Sequence, residues 1–171
     1  MHIETERKFL ITRPSEDELT SQSGCRVLGI TQTYLMINSD TGEEERIRRI
    51  VEDGKETFVF TEKKRISDVS RTENEYEIGR YEYERLYSRS DVRELTKTRY
   101  AFPYKEHTIE IDVYPHDIGG DALDGYAVLE VELDGEDEKF ELPEFIDVKR
   151  ELTGTSEFSN KKMAKPRKNH E

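Results

Sequence analysis

Cysteine, tryptophan and long apolar runs are what this sequence has least of. Cys25 is its single cysteine, so an internal disulfide and a cysteine-ligated metal cluster are both excluded. No histidine lies beside it, and it reads as a structural thiol. Tryptophan is absent, which removes the largest ring on which a bound base or heterocycle could stack. Nowhere do about 18 apolar residues follow one another, which excludes a membrane-spanning helix. Glu4, Glu6 and Arg7 interrupt the N-terminus where a secretory signal needs an apolar centre. A cytoplasmic protein without a membrane partner is therefore expected. Basic residues are the minority, 27 against 39 acidic ones, for a net charge of -12. That balance argues against sequence-independent binding to nucleic acid, which needs an exposed basic surface. His2, His107, His116 and His170 are scattered without metal-ligand spacing and read as surface residues. Gly119-Gly120 lacks the lysine and hydroxyl residue of a phosphate-binding loop and reads as a turn.

Charge is what the sequence has in abundance. Charged residues make up 39% of its 171 residues, against roughly 25% in ordinary soluble domains. Either one face of many elements is solvated or the protein has a charged interior. No linker or repeat divides the chain, so one domain over residues 1–164 is expected, with residues 165–171 as a flexible polar tail. Period-2 patterning dominates and predicts strands near Ile3–Ile11, Gln32–Ile37, Glu45–Glu52, Glu56–Lys64, Thr72–Ile78, Val92–Phe102, His107–Tyr114 and Tyr126–Leu133. Asp53-Gly54 is a strong hairpin signal between two of them. Short helices are predicted over Ser15–Ser23, Arg80–Ser88 and Ser156–Ala164, the first capped by Ser15. Eight strands with few helices predict a mainly β fold, an eight-stranded antiparallel barrel whose closure removes exposed edges.

Within those strands the charges recur in steps of two. Glu4, Glu6 and Lys8 share one face of the first strand, because side chains alternate along a strand. Arg46 and Arg48 flank Ile47, and Thr61 and Lys63 flank Glu62. Glu73, Glu75 and Glu77 alternate with Asn74 and Tyr76. Lys97 and Arg99 flank Thr98, Glu110 and Asp112 flank Ile111, and Glu130 and Glu132 flank Val131. Any one pair is explained by a solvated sheet face. Seven strands with the same alternation favour charged faces converging inside the barrel, with the apolar faces outward beneath helices. Such a lumen needs compensating charge, because arginine is rarely buried without a partner. Lys8, Arg46, Arg48, Lys63, Lys97 and Arg99 are cations suited to oligophosphate oxygens. Glu4, Glu6, Asp112, Glu130 and Glu132 are hard oxygen ligands suited to Mg²⁺ or Mn²⁺.

The series Glu4-x-Glu6-x-Lys8, Arg46-Ile47-Arg48, Thr61-Glu62-Lys63, Glu73 to Glu77, Lys97-Thr98-Arg99, Glu110-Ile111-Asp112 and Glu130-Val131-Glu132 resembles the CYTH superfamily, the triphosphate tunnel metalloenzymes. Order and parity agree over about residues 1–164. The compact single-domain form resembles the bacterial inorganic tripolyphosphatases. One departure is Phe158-Ser159-Asn160, where the family often has a tyrosine before Ser-Asn. The resemblance implies an eight-stranded tunnel enzyme that hydrolyses a small-molecule triphosphate with Mg²⁺ or Mn²⁺, as a monomer or homodimer. It implies phosphate binding by Lys8, Arg46, Arg48, Lys63 and Arg99, with Lys97 an addition. It implies metal binding by Glu4, Glu6, Glu130 and Glu132 with Asp112 nearby, and an outer role for Glu75 and Glu77. Glu4, Glu6 and Lys8 are the expected catalytic groups. Three other functions are weighed. A class IV adenylate cyclase shares the scaffold, but no adenine-reading motif is visible. A thiamine triphosphatase lacks a tryptophan for stacking, a role left to Tyr34 or Tyr104. A non-catalytic polyphosphate-binding module is opposed by the intact acidic pairs.

Overall fold

Alternating side chains favour extended chain, and the computed structural model, which describes residues 2–89 and 92–167, contains eight long antiparallel strands. They are β1 (His2–Thr12), β2 (Arg26–Asn38), β3 (Glu43–Glu52), β4 (Lys55–Arg65), β5 (Ser70–Ile78), β6 (Arg93–Tyr104), β7 (His107–Val113) and β8 (Tyr126–Leu133). Hydrogen-bonded neighbours run β6-β2-β3-β4-β5-β1-β8-β7, and β7 pairs back onto β6. The ring is closed, as the strand count predicts. Two short strands escape the sequence pattern. β9 (Val148–Glu151) pairs with the Phe9–Ile11 half of β1, which β5 leaves free because it reaches only His2 to Thr5. β10 (Lys165–Pro166) pairs with Arg93 and Glu94 of β6. The expected tail thus starts in a sheet pairing, and its residues 168–171, His170 among them, lie outside the described residues.

Turn chemistry sets the register. Asp53 and Gly54 both have positive φ, 50° and 76°, as the tight turn joining β3 to β4 requires. Lys105 and Glu106 take the same left-handed conformation between β6 and β7, φ 43° and 70°, without a glycine or asparagine to ease it. Helix α1 (Glu16–Thr20) starts with a capping box: the Ser15 hydroxyl accepts from the Glu18 amide at 3.1 Å and the Glu18 carboxylate accepts from the Ser15 amide at 3.2 Å. Helices α2 (Arg80–Tyr87), α3 (His116–Gly119) and α4 (Asn160–Met163) follow. α4 is shorter than the helix predicted over Ser156–Ala164; Ser159 caps it, so the chain before Asn160 is not helical.

The apolar faces do pack outward. Phe9, Phe102, Ile111 and Val131 lie beneath Leu19 of α1 and beneath Phe140 and Phe145, on a segment without regular structure. Ile47, Phe58 and Ile78 lie beneath Tyr83 of α2, the Phe58 and Tyr83 rings 4.5 Å apart. A third cluster fills part of the lumen itself: Leu10, Tyr34, Leu95, Tyr114 and Val128 meet Leu123 and Leu152. Leu10, Leu95 and Val128 continue the parity of Lys8, Lys97 and Glu130, so one face changes from charged to apolar along each of these strands. Among the described residues no helix is long and apolar enough to cross a membrane.

Candidate active site

A cavity of about 590 Å³ runs inside the barrel, and all six expected cations line it. Arg46 and Arg48 are each 8% exposed on β3. Arg48 donates through Nη2 to Glu75 Oε1, which also accepts from Thr61 Oγ1 at 2.7 Å. Arg46 Nη1 stands 3.7 Å from Glu44 Oε2. The Nε of both arginines is buried and has no protein acceptor. An unmet buried donor costs about 1–3 kcal/mol, so this arrangement is suited to an anion that supplies oxygens. Lys63 Nζ lies 3.2 Å from Glu4 Oε1 and 3.4 Å from Glu73 Oε2. Lys8 Nζ is 3.6 Å from Glu130 Oε1, too far for a hydrogen bond.

The cations of β6 are held differently. Arg99 donates to both oxygens of Asp112, at 2.7 and 2.9 Å, and through Nη1 to Glu110 at 3.0 Å. Lys97 Nζ sits 2.8 Å from Asp112 Oδ2. Asp112 is 1% exposed and does not line the cavity. Both its oxygens serve Lys97 and Arg99, which makes it their counter-ion. Glu77 is exposed and also off the cavity. The structure therefore brings Glu4, Glu6, Glu75, Glu130 and Glu132 to the lumen and leaves Asp112 and Glu77 behind or outside it.

Burial sets the protonation of these groups. Glu6 is pushed up to about 8 by desolvation and by the charge of Glu130. Glu73 rises to about 7 through burial and its hydrogen bond to Glu4. Burial works to raise Glu4 as well, but Lys63 beside it holds that carboxyl well below the usual carboxylate range. Asp112 is desolvated most of all, yet Arg99 and Lys97 keep it ionised far into acid. Burial lowers Lys97 to about 8 and, with Arg46 adjacent, lowers Arg48 to about 10.

Residues without an expected role also reach the cavity. Glu44, 4% exposed, lies between Arg46 and Lys161, whose Nζ is 3.8 Å away. Counting back two residues from Arg46 on β3 finds it. Thr153, Ser159, Asn160 and Lys161 come from the C-terminal segment, where no alternation announces them. Phe158, at φ 56°, turns into the apolar cluster at the end of the lumen.

The lumen carboxylates offer a metal ion hard oxygen donors only. Among the described residues no three acidic or histidine side chains converge to enclose a cation. Burial beside the carboxylates of Glu130 and Glu4 nevertheless holds the proton on Glu6 up to about 8, and a cation is the partner that lets such a cluster ionise. That fits a hard cation held by one or two carboxylates together with substrate oxygens, as Mg²⁺ characteristically is.

No protein-family model matches the chain, and no curated protein matches it. Solved structures do. The PH1819 protein of Pyrococcus horikoshii OT3 is similar at 24% identity and a TM-score of 0.55, over 78% of this chain and 80% of that one. A conserved hypothetical protein of Pyrococcus furiosus is similar at 19% identity and a TM-score of 0.56, with the same coverage. These likenesses establish the fold and nothing more. HpAC1 of Hippeastrum, described as an adenylyl cyclase with a dominant triphosphatase activity, matches at 16% identity over 79% of this chain and 80% of that one. Its TM-score of 0.41 is below the level that attests a shared fold. The closed eight-stranded barrel is the tunnel architecture that the sequence resemblance implies.

Proposed function

We propose that the protein is a divalent-metal-dependent triphosphatase whose substrate is inorganic tripolyphosphate, cleaved by water into pyrophosphate and orthophosphate. The observation that carries this reading is the buried pair Arg46 and Arg48, each with an Nε that meets no protein acceptor, inside a lumen also lined by Lys8, Lys63, Lys97 and Arg99. Phosphoryl transfer needs positioning and charge neutralisation above all. Arg46 and Arg48 grip phosphate oxygens, while Lys8 and Lys63 add compact charges from β1 and β4. Arg99 and Lys97, fixed on Asp112, contribute field from the far wall. Glu6 and Glu130, with Glu4 and Glu132, are the residues to hold Mg²⁺ or Mn²⁺, which supplies Lewis acidity and neutralises phosphate charge. A polyphosphate alone is repelled by those carboxylates, so binding of anion and cation is mutually dependent.

The test is product analysis with tripolyphosphate and, separately, ATP, each with Mg²⁺ or Mn²⁺. Orthophosphate and pyrophosphate from tripolyphosphate, lost in EDTA, are expected. Cyclic AMP and pyrophosphate from ATP, with tripolyphosphate untouched, overturn the reading, as does polyphosphate binding that EDTA leaves intact without any turnover.

A further inference from the structure

Tyr34 stands where the apolar end of the lumen meets its charged part. It is buried in the cluster that contains Leu10, Leu95 and Leu152, and it lines the cavity with Arg46 and Glu44. With the ring packed in that cluster, the hydroxyl is the group it brings to the site. That hydroxyl has two partners. Gln32, fully buried two residues earlier on the same face of β2, donates to it through Nε2 at 2.6 Å. Arg46, directly opposite Tyr34 across the β2–β3 pairing, donates to it as well. Arg46 also faces Glu44, but its Nη1 stops 3.7 Å from that carboxylate, too far for a hydrogen bond. The guanidinium is thus held by a neutral group and stands off from a charged one. Burial, with Glu44 nearby, pushes the Tyr34 phenol up, so the hydroxyl keeps its proton and leaves the charge of Arg46 uncancelled.

Without the hydroxyl the balance changes. An arginine beside a buried carboxylate closes onto it as a charge-assisted, often bidentate pair when nothing else holds it. Glu44 would then take donors that Arg46 now leaves for the cavity. We propose that Tyr34, anchored by Gln32, is a positioning residue that holds Arg46 off Glu44 and turned toward a bound phosphate. This rests on the triphosphatase reading of the lumen.

The experiment measures kcat and KM for phosphate release from tripolyphosphate with Mg²⁺. It compares the wild type, Tyr34→Phe, Glu44→Gln and the double variant, each shown by circular dichroism to be folded. Tyr34→Phe is expected to raise KM about tenfold, the worth of one hydrogen bond to a charged group, with kcat nearly unchanged. Adding Glu44→Gln is expected to restore most of that loss, because the competing carboxylate is gone. A general loosening of the barrel would not be repaired by a second buried substitution. An unchanged KM in Tyr34→Phe, or a loss that Glu44→Gln does not reduce, overturns the proposal and leaves tripolyphosphate hydrolysis standing. If the wild type binds tripolyphosphate without turnover, the triphosphatase reading fails and the same four proteins are compared by Kd. A Kd weakened in Tyr34→Phe and restored in the double variant then upholds the positioning role, and equal values overturn it. A wild type that neither binds nor cleaves tripolyphosphate overturns both.

Discussion

Asp112 on β7 and Glu6 on β1 both project toward the barrel interior, and their surroundings give them opposite tasks. Asp112 is clamped by Arg99 and Lys97. Removing its charge leaves buried Lys97 without its carboxylate and Arg99 with Glu110 alone, a loss of about 3–5 kcal/mol. Asp112→Asn should therefore lower the melting temperature by roughly 10 °C even with chelator present. A variant with unchanged stability that loses only metal affinity would show that Asp112 is a ligand. Glu6 lies in negative surroundings and is raised from 4.5 to about 8. Between those values the folded protein keeps a proton that the unfolded chain has released, so stability falls as pH rises through that window. Glu73, raised to about 7, acts in the same sense, and Glu4, being depressed, acts only in acid. Melting temperatures measured in EDTA should decline from about pH 5 to about pH 8. Glu6→Gln should flatten the upper part of that decline. An equal slope in the variant would refute the assignment. Parity made Glu6 legible from sequence. That Asp112 has no free oxygen was not legible, because the Arg99 fork reaches it across the β6–β7 pairing.

Strand periodicity survives in the sequence because each strand carries its own alternation, and the barrel strands lie within a few residues of their expected places except β2, which begins at Arg26 rather than Gln32. β9 and β10 carry too few residues for a period and exist because β1 and β6 have unpaired length to offer. The β6–β7 turn was opaque for a different reason. Lys105 and Glu106 occupy left-handed conformations that favour glycine or asparagine, so the turn lacks its usual signature. Glu106→Gly should relieve about 1 kcal/mol of strain and raise the melting temperature by about 2–4 °C. A fall on thermal unfolding would mean that the Glu106 side chain contributes more than its backbone costs. At α1 the capping box was half visible, as Ser15. Ser15→Ala should cost about 1 kcal/mol, read as a lower denaturant midpoint with an unchanged slope.

In the assembled barrel the usual arrangement is inverted: apolar faces are sealed under α1, α2 and the segment around Phe140, and the charges are enclosed. That inversion explains how a protein of net charge -12 can gather Lys8, Arg46, Arg48, Lys63, Lys97 and Arg99 in one lumen among balancing carboxylates. It was readable only as a sum over seven strands, since no single pair distinguishes a lumen from a solvated face. The C-terminal contribution of Ser159 to Lys161 depends on where the chain returns after β9, which no local pattern encodes. The role proposed for the buried arginines of β3 is to bind the triphosphate that is hydrolysed. Its most direct test is steady-state phosphate release from tripolyphosphate with Mg²⁺, comparing the wild type with Arg48→Ala after circular dichroism has confirmed that both are folded. A loss of about a hundredfold or more in kcat/KM is expected from removing one such charged donor. A folded Arg48→Ala variant with near-normal turnover would show that Arg48 does not bind the reacting triphosphate.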